Sequence, residues 1–127
     1  MEQDQLVLAA EDGASLSSGE LRLYALPFGC IDLYAYDPLN RRAAVGIVVA
    51  TRHRRQGHAL AMLAALERLY CGTLHQLYAD IPATNAASLA LFQKAGYTPC
   101  GHFRQWLLVD GQYIDSVRMQ KIITPTH

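Results

Sequence analysis

An apolar run followed by a cationic loop and an amphipathic segment constrains this fold more than any other part of the sequence. The run Ala43–Ala50 is apolar on both faces of a strand, which predicts a central strand in a sheet that is covered on both sides. Residues 51–56 are polar and rich in arginine. From Gly57 to about Tyr70, apolar side chains recur at helical spacing, and Gly72 suits the position just past a helix end. The stretch therefore predicts strand, loop and helix in that order.

The flanking segments extend this unit into a mixed sheet. Alternating or apolar runs and turn residues predict further elements: strands at Glu20–Leu26, Cys30–Asp37 and His75–Ile81, a helix at Ala86–Lys94, and a hairpin of Phe103–Val109 and Gln112–Met119 around Asp110-Gly111. Gln5–Glu11 suits either a short strand or a frayed tail. The single strand–helix–strand crossover implies one splayed parallel pair in an otherwise antiparallel sheet. We expect an α/β fold with helices on both faces of the sheet and a C-terminal hairpin.

Length and charge narrow the class of protein. The chain has 127 residues, which suits one domain over residues 1–127. Its 11 basic residues balance 11 acidic ones, so no net field draws it to nucleic acid or to anionic lipid. No apolar stretch approaches the roughly 20 residues that span a bilayer, and the acidic start is unlike a secretory signal. We therefore expect a cytoplasmic protein that binds neither nucleic acid nor membrane.

The cysteines give no sign of a metal centre. Cys30, Cys71 and Cys100 are far apart in the sequence, and no histidine or second cysteine accompanies them at zinc-binding spacing. We expect reduced, partly buried thiols and no metal.

The junction between the apolar strand and the helix is suited to hold an anion. The first N–H groups of a helix have no partner within it, and the helix dipole makes them partly positive. A phosphate at Gly57 would meet these groups, and Arg54 and Arg55 add matching charge. Two other interpretations stay open on these residues: basic side chains that only solvate a loop, and a nucleic-acid patch, against which the balanced net charge argues.

Three segments in order resemble one enzyme family. These are RRQGHA (Arg54–Ala59), NAASLALFQKAGY (Asn85–Tyr97) and WLLVDGQYIDSVRM (Trp106–Met119). They are similar to the acyl-CoA loop, the following helix and the terminal hairpin of the GNAT superfamily of acetyl-CoA-dependent N-acetyltransferases, in particular its spermidine/spermine and ribosomal-protein branch. The resemblance covers roughly Glu20 to Ile122 and implies a GNAT-like fold.

The resemblance also implies a reaction and a set of binding residues. An acetyl group would pass from acetyl-CoA, a co-substrate, to a primary amine by direct attack in a ternary complex. The acceptor would be a polyamine-like small molecule or a protein N-terminal amine. The residues implied in binding acetyl-CoA are Ile47, Val48, Val49, Arg54, Arg55, Gln56, Gly57, His58, Ala59, Asn85, Ser88 and Phe92. Asn85 also suits a helix cap.

The chain departs from the family pattern in its proton carriers. Phe92 stands where many relatives have a tyrosine that protonates the leaving thiolate, and the run Ala43–Ala50 contains no acid. Candidate groups for proton transfer are the carboxylates and phenols that alternate along two predicted strands: Asp32, Tyr34, Tyr78 and Asp80. For the two carboxylates, a purely structural role stays open.

A second departure lies at the N-terminus. Few residues precede the strand at Glu20–Leu26, and they show no pair of amphipathic helices. The cofactor half is therefore expected to be complete, whereas the acceptor half is expected to lack most of the usual N-terminal helical part. An abridged sheet would expose an apolar edge, which favours a homodimer. The alternative function is a catalytically degenerate module that binds CoA.

Overall fold

The computed structural model of the chain describes residues 22–49 and 57–124. The elements in chain order are β1 (Arg22–Leu26), β2 (Gly29–Asp37), β3 (Arg42–Val49), α1 (His58–Tyr70), β4 (Gln76–Pro82), α2 (Ala86–Lys94), β5 (Thr98–Val109) and β6 (Gln112–Ile122). They confirm the predicted elements from Arg22 onward, although β5 and β6 are longer than predicted. The segment Gln5–Glu11 lies outside the described residues.

The described strands form one six-stranded sheet in the order β1-β2-β3-β4-β6-β5. Neighbouring strands are antiparallel except β3 and β4, which run parallel. Helix α1 connects this pair, because parallel strands need a crossover rather than a tight turn. The mixed sheet, its single parallel pair among the described strands and its final hairpin confirm the predicted fold class.

The two helices of the described part of the chain, α1 and α2, occupy one face of the sheet, and no helix among the described residues covers the other face, where the prediction also expects helices. Val45 and Leu77 of the parallel strands, Leu66 of α1 and Phe92 of α2 all belong to one buried cluster. Within the described residues, α1 and α2 therefore cover the same side. The alternate strand positions carry many polar side chains.

These alternate positions define what we call the polar face, which carries Asp32, Tyr34, Gly46, Tyr78, Asp80 and Arg118. Asp32 and Gly46 are cross-strand partners on β2 and β3, and Asp80 and Arg118 are partners on β4 and β6. Cross-strand partners point to the same side of a sheet. The polar face therefore runs across the middle of the sheet, opposite the helices.

The central strand β3 is covered only along its first part. Ala43, Ala44 and Val45 are buried, whereas the side chain of Val48 is 60% exposed. The prediction of a strand covered on both sides is thus wrong for its C-terminal end, because β3 there leaves its neighbour β4. None of the helices in the described part of the chain is long and apolar enough to span a bilayer.

Two tight turns, at residues 37–40 and at the predicted Asp110-Gly111, have the local chemistry that their residues favour. Asp37 accepts hydrogen bonds from the backbone N–H groups of Leu39 and Asn40, at 3.0 and 3.1 Å. Asp110 and Gly111 have φ values of 50° and 77°, as a type I′ hairpin turn requires. The hydrogen bonds to Asp37 thus mark the end of β2, and the positive φ values of Asp110 and Gly111 form the turn between β5 and β6.

Candidate functional site

A gap opens between the two parallel strands. Their pairing runs from Arg42 and Gln76 to Ala44 and Tyr78. Beyond that point β3 continues to Val49 and β4 to Pro82 without pairing to each other. The backbone edge of β3 that faces the gap is therefore available to a ligand that pairs like a strand.

The gap leads into a cavity of about 700 Å³. Its walls come from the end of β3, the first turn of α1 and one side of α2. The lining residues are Ile47, Val48, Val49, Gly57, His58, Ala59, Leu60, Asn85, Ala87, Ser88, Leu91 and Lys94. A cavity of this size suits a cofactor-sized ligand.

The two helices begin at this cavity in different ways. Gly57 precedes α1 in the left-handed region, with φ of 81°, and no side chain caps the helix. No acidic residue lies in its first turn either. In contrast, the Asn85 side chain caps α2 by accepting a hydrogen bond from the Ser88 N–H at 3.1 Å. The start of α1 thus has neither a capping side chain at Gly57 nor an acid in its first turn, and its helix dipole favours an anion there.

Most of the residues implied in binding the cofactor lie together. Eight of the twelve line the cavity: Ile47, Val48, Val49, Gly57, His58, Ala59, Asn85 and Ser88. Arg54, Arg55 and Gln56 lie outside the described residues. Phe92 does not line the cavity, because its ring is 3% exposed and packs edge-on against Tyr97 with the ring centroids 4.9 Å apart.

Four lining residues were not predicted: Leu60, Ala87, Leu91 and Lys94. Ala87, Leu91 and Lys94 follow one another at helical spacing along α2, on the side that also carries Ser88. The spacing from Ser88 could therefore have identified them. Lys94 is the one cation among the described lining residues, and it adds positive charge to the wall.

A ring stack lies beside the start of α1. The rings of Phe28 and His58 lie 4.0 Å apart, with 12° between their planes. Phe28 belongs to the turn between β1 and β2, and His58 is the first residue of α1. The contact ties that turn to the cavity wall.

The candidate proton carriers lie together on the polar face but differ in their hydrogen-bond partners. Asp80 is bound by both arms of Arg118: Nε donates to Oδ1 at 2.7 Å and Nη2 donates to Oδ2 at 3.0 Å. This hydrogen bond raises the pKa of the Arg118 guanidinium. The same guanidinium lies over the Tyr78 ring, 4.5 Å from its centroid. This bidentate pair uses one acceptor site on each of the two Asp80 oxygens.

Asp32 differs from Asp80. No hydrogen bond or ion pair involves its carboxylate within the described part of the chain. A Cβ placed on Gly46 would collide with Asp32 Oδ1. The Asp32 carboxylate therefore lies directly over the backbone of β3, at the first residue of the polar face beyond the end of the parallel pairing.

Tyr34 lies among these groups. Burial raises the pKa of its phenol, and the negative charges of Asp80 and Asp32 raise it further. Tyr34 therefore stays protonated near neutral pH and can donate a hydrogen bond without losing its proton.

The described residues hold no disulfide and no cluster of histidine, cysteine and acidic side chains suited to a metal ion. Cys30 and Cys71 are partly buried, whereas Cys100 is exposed on β5. Burial nevertheless raises the pKa of the Cys100 thiol. Cys100 therefore stays a thiol near neutral pH.

Comparison with known proteins identifies the same family as the motifs. Residues 9–98 match the model of the acetyltransferase (GNAT) domain. The spermidine N(1)-acetyltransferase of Vibrio cholerae is 26% identical over 93 residues, which cover 72% of this chain and 54% of that protein. The enzyme of the same name from Escherichia coli K12 is 26% identical over 95 residues, covering 72% and 50%.

Solved structures share the fold. RimL, a ribosomal L7/L12 alpha-N-protein acetyltransferase, superposes with a TM-score of 0.79 at 23% identity, over 84% of this chain and 72% of that one. The dodecameric spermidine N-acetyltransferase of Vibrio cholerae gives 0.74 at 22% identity, over 81% and 65%.

The chain spans about half the length of the curated relatives that it matches. The family model nevertheless covers more than half of this chain, including β1 to α2. On this match, the chain belongs to the GNAT acetyltransferase domain family.

Proposed function

We propose that this chain transfers an acetyl group from acetyl-CoA to a primary amine. The observation that carries the proposal is the cavity between β3, α1 and α2, which opens into the gap between the parallel strands. Eight of the residues implied by the acyl-CoA motifs line it. In this proposal the cavity would hold acetyl-CoA, and the polar face beside the gap would receive the amine.

The residues of the cavity fit the parts of acetyl-CoA. The pyrophosphate would accept hydrogen bonds from the first-turn N–H groups of α1, with Arg54, Arg55 and Gln56 before them. A helix N-terminus contributes up to about 2 kcal/mol toward an anion in favourable geometry. The pantetheine amides would pair with the backbone of Ile47–Val49, and Asn85 or Ser88 would contact the arm. The thioester would then reach the start of the gap near Gly46, where the parallel pairing stops.

The acceptor amine would approach from the polar face. Its carboxylates and phenols suit an ammonium group, because both carry oxygen acceptors and the phenol rings add a π face. A polyamine-like small molecule is the first acceptor that we propose, and a protein N-terminal amine is the second. The names of the relatives support both classes.

Holding the two substrates together would supply much of the rate. Well-oriented reactants reach effective molarities on the order of 10⁵ M or more. A backbone N–H of β3 near Val48 would stabilise the oxyanion that develops on the thioester. We propose that the proton carriers come from the groups of the polar face, Asp32, Tyr34, Tyr78 and Asp80. Phe92 would take no part in proton transfer, since its ring carries no proton to donate.

We also propose that the chain self-associates as a homodimer. Strand β5 is an edge of the sheet within the described residues, and edge strands readily pair with another chain. Trp106, Leu108 and Tyr113 on the final hairpin are all more than 60% exposed. Light scattering coupled to size exclusion tests this proposal, and a monomer at micromolar concentration would overturn it.

Thiol release from acetyl-CoA with a panel of amines tests the proposed activity. The panel comprises spermidine, spermine, a monoamine and a peptide with a free N-terminus. Thiol release that depends on at least one amine is expected. Binding of acetyl-CoA by calorimetry without thiol release from any amine would instead favour a CoA-binding module. Absence of both would overturn the assignment of the cavity.

A further inference from the structure

One carboxylate on the polar face lies where the gap begins. The last paired residues of the parallel strands are Ala44 and Tyr78, and Gly46 is the next residue of β3 on the polar face. Asp32 is the cross-strand partner of Gly46 on the neighbouring strand β2. Its carboxylate occupies the space that a side chain at position 46 would need. An acid on β2 therefore reaches across to the central strand.

The glycine makes this placement possible. Any Cβ at Gly46 would overlap Asp32 Oδ1. Because Gly weakens a strand interior relative to other residues, a glycine here indicates that something must come close to the backbone. In this chain the close neighbour is the Asp32 carboxylate itself.

The groups around Asp32 leave it as the free acceptor. Tyr34 lies on its own strand, and the charges of Asp32 and Asp80 both act on that phenol. Across the gap, Tyr78 and Asp80 are on β4, and Arg118 of β6 binds Asp80 through two hydrogen bonds. The guanidinium thus satisfies one carboxylate of the face. A general base needs an available lone pair within reach of the proton that it removes.

We propose that Asp32 is the catalytic residue that removes the proton from the acceptor ammonium. This assignment rests on the proposed acetyltransferase function. Asp32 takes one proton from the ammonium, and the freed nitrogen lone pair forms a bond to the acetyl carbon as the carbon–sulfur bond breaks. The thiolate leaves and takes the second proton from that nitrogen. Asp32 then releases its proton to solvent.

In this arrangement, within the described residues, Asp80 is paired and Asp32 is not. The bond between Asp80 and Arg118 fixes the guanidinium over the Tyr78 ring. The two carboxylates of the polar face therefore differ in their partners.

The first test compares Asp32→Asn with Asp110→Asn, a matched change in the exposed hairpin turn. For Asp32→Asn, we expect kcat to fall by about 10²-fold or more, the typical contribution of a general base. The Kd for acetyl-CoA, measured by calorimetry, should stay unchanged, which also shows that the variant is folded. Asp110→Asn should match the unaltered chain in both measurements.

The second test moves the acid from β2 to β3. Combining Asp32→Gly with Gly46→Asp places the carboxylate on the central strand and removes the clash. We expect this double variant to recover at least 10-fold in kcat over Asp32→Gly alone. If it binds acetyl-CoA as the unaltered chain does and recovers nothing, the assignment is wrong.

The outcomes separate this proposal from the one on which it rests. If the unaltered chain releases thiol and Asp32→Asn does so equally fast, Asp32 is not the base and the acetyltransferase function stands. If the unaltered chain releases no thiol with any amine, both proposals fail together.

Discussion

The side chain of Asn85 has a structural task and, in the proposed complex, a binding task, and the two can be separated. Its Oδ1 accepts a hydrogen bond from the Ser88 N–H at 3.1 Å and so caps α2. The residue also lines the cavity. Replacing a capping Asn by Ala costs about 1 kcal/mol of stability, whereas Ser retains a capping oxygen. Asn85→Ala should therefore lower the free energy of unfolding by about 1 kcal/mol, and Asn85→Ser should change it much less.

The binding effect should follow a different order. If the amide also contacts acetyl-CoA, its loss removes a hydrogen bond of about 0.5–1.5 kcal/mol. Such a loss weakens the Kd by roughly 2- to 12-fold at 1.4 kcal/mol per factor of ten. Both Asn85→Ala and Asn85→Ser should show this weakening, since neither replaces the amide.

Urea denaturation and calorimetry with acetyl-CoA measure the two quantities on the same samples. Asn85→Ala with the stability of the unaltered chain would refute the capping argument. Asn85→Ser with unchanged stability and unchanged Kd would show that Asn85 is a cap alone.

Three further changes test other parts of the structure. Gly57→Ala should lower stability by about 1 kcal/mol in urea denaturation and weaken acetyl-CoA binding, because φ of 81° strains any residue with a Cβ; equal stability would contradict the left-handed cap. Tyr70→Phe should cost about 1–2 kcal/mol, because Tyr24 OH loses its partner at 2.5 Å within the core; an unchanged urea midpoint would contradict this. Hydrogen bonds from the Gln105 N–H and the His102 side chain lower the pKa of Asp115 below its usual 3.8. The stabilisation that Asp115 contributes is therefore present above pH 3.8 and is lost as the pH falls through the lower pKa of the folded state. Asp115→Asn should remove that part of the acid dependence, and identical acid unfolding curves would refute it.

The local elements were predictable from sequence because their signals are local. The alternation along β2, the helical spacing of α1 and the capping amide of Asn85 each involve residues only a few positions apart. The turn at Asp110-Gly111 depends on the φ preferences of two adjacent residues. The acyl-CoA motif and its neighbouring segments are local in the same way, and from them eight of the residues that line the cavity were predicted.

The face of the sheet that the two helices share and the hydrogen-bonding states of the candidate bases were not predictable in this way. A polar alternation can face solvent or a second layer, and only the packing of α2 into the same core as α1 shows that both helices share one face. Phe92 stands at a motif position, yet the cluster with Tyr97 buries its ring away from the cavity. Which side of a short helix faces the core depends on its partners.

By itself, the sequence determined the order of strands and helices, the position of Gly57 at the start of α1 and the family of the chain, because short-range periodicity and motif spacing carry that information. Only the tertiary structure decided that the Arg118 guanidinium pairs with the Asp80 carboxylate, while the Asp32 carboxylate lies over Gly46. These contacts join residues far apart in the chain, and the register of four strands sets them. A shift of one residue in any of those strands would turn its side chains to the other face.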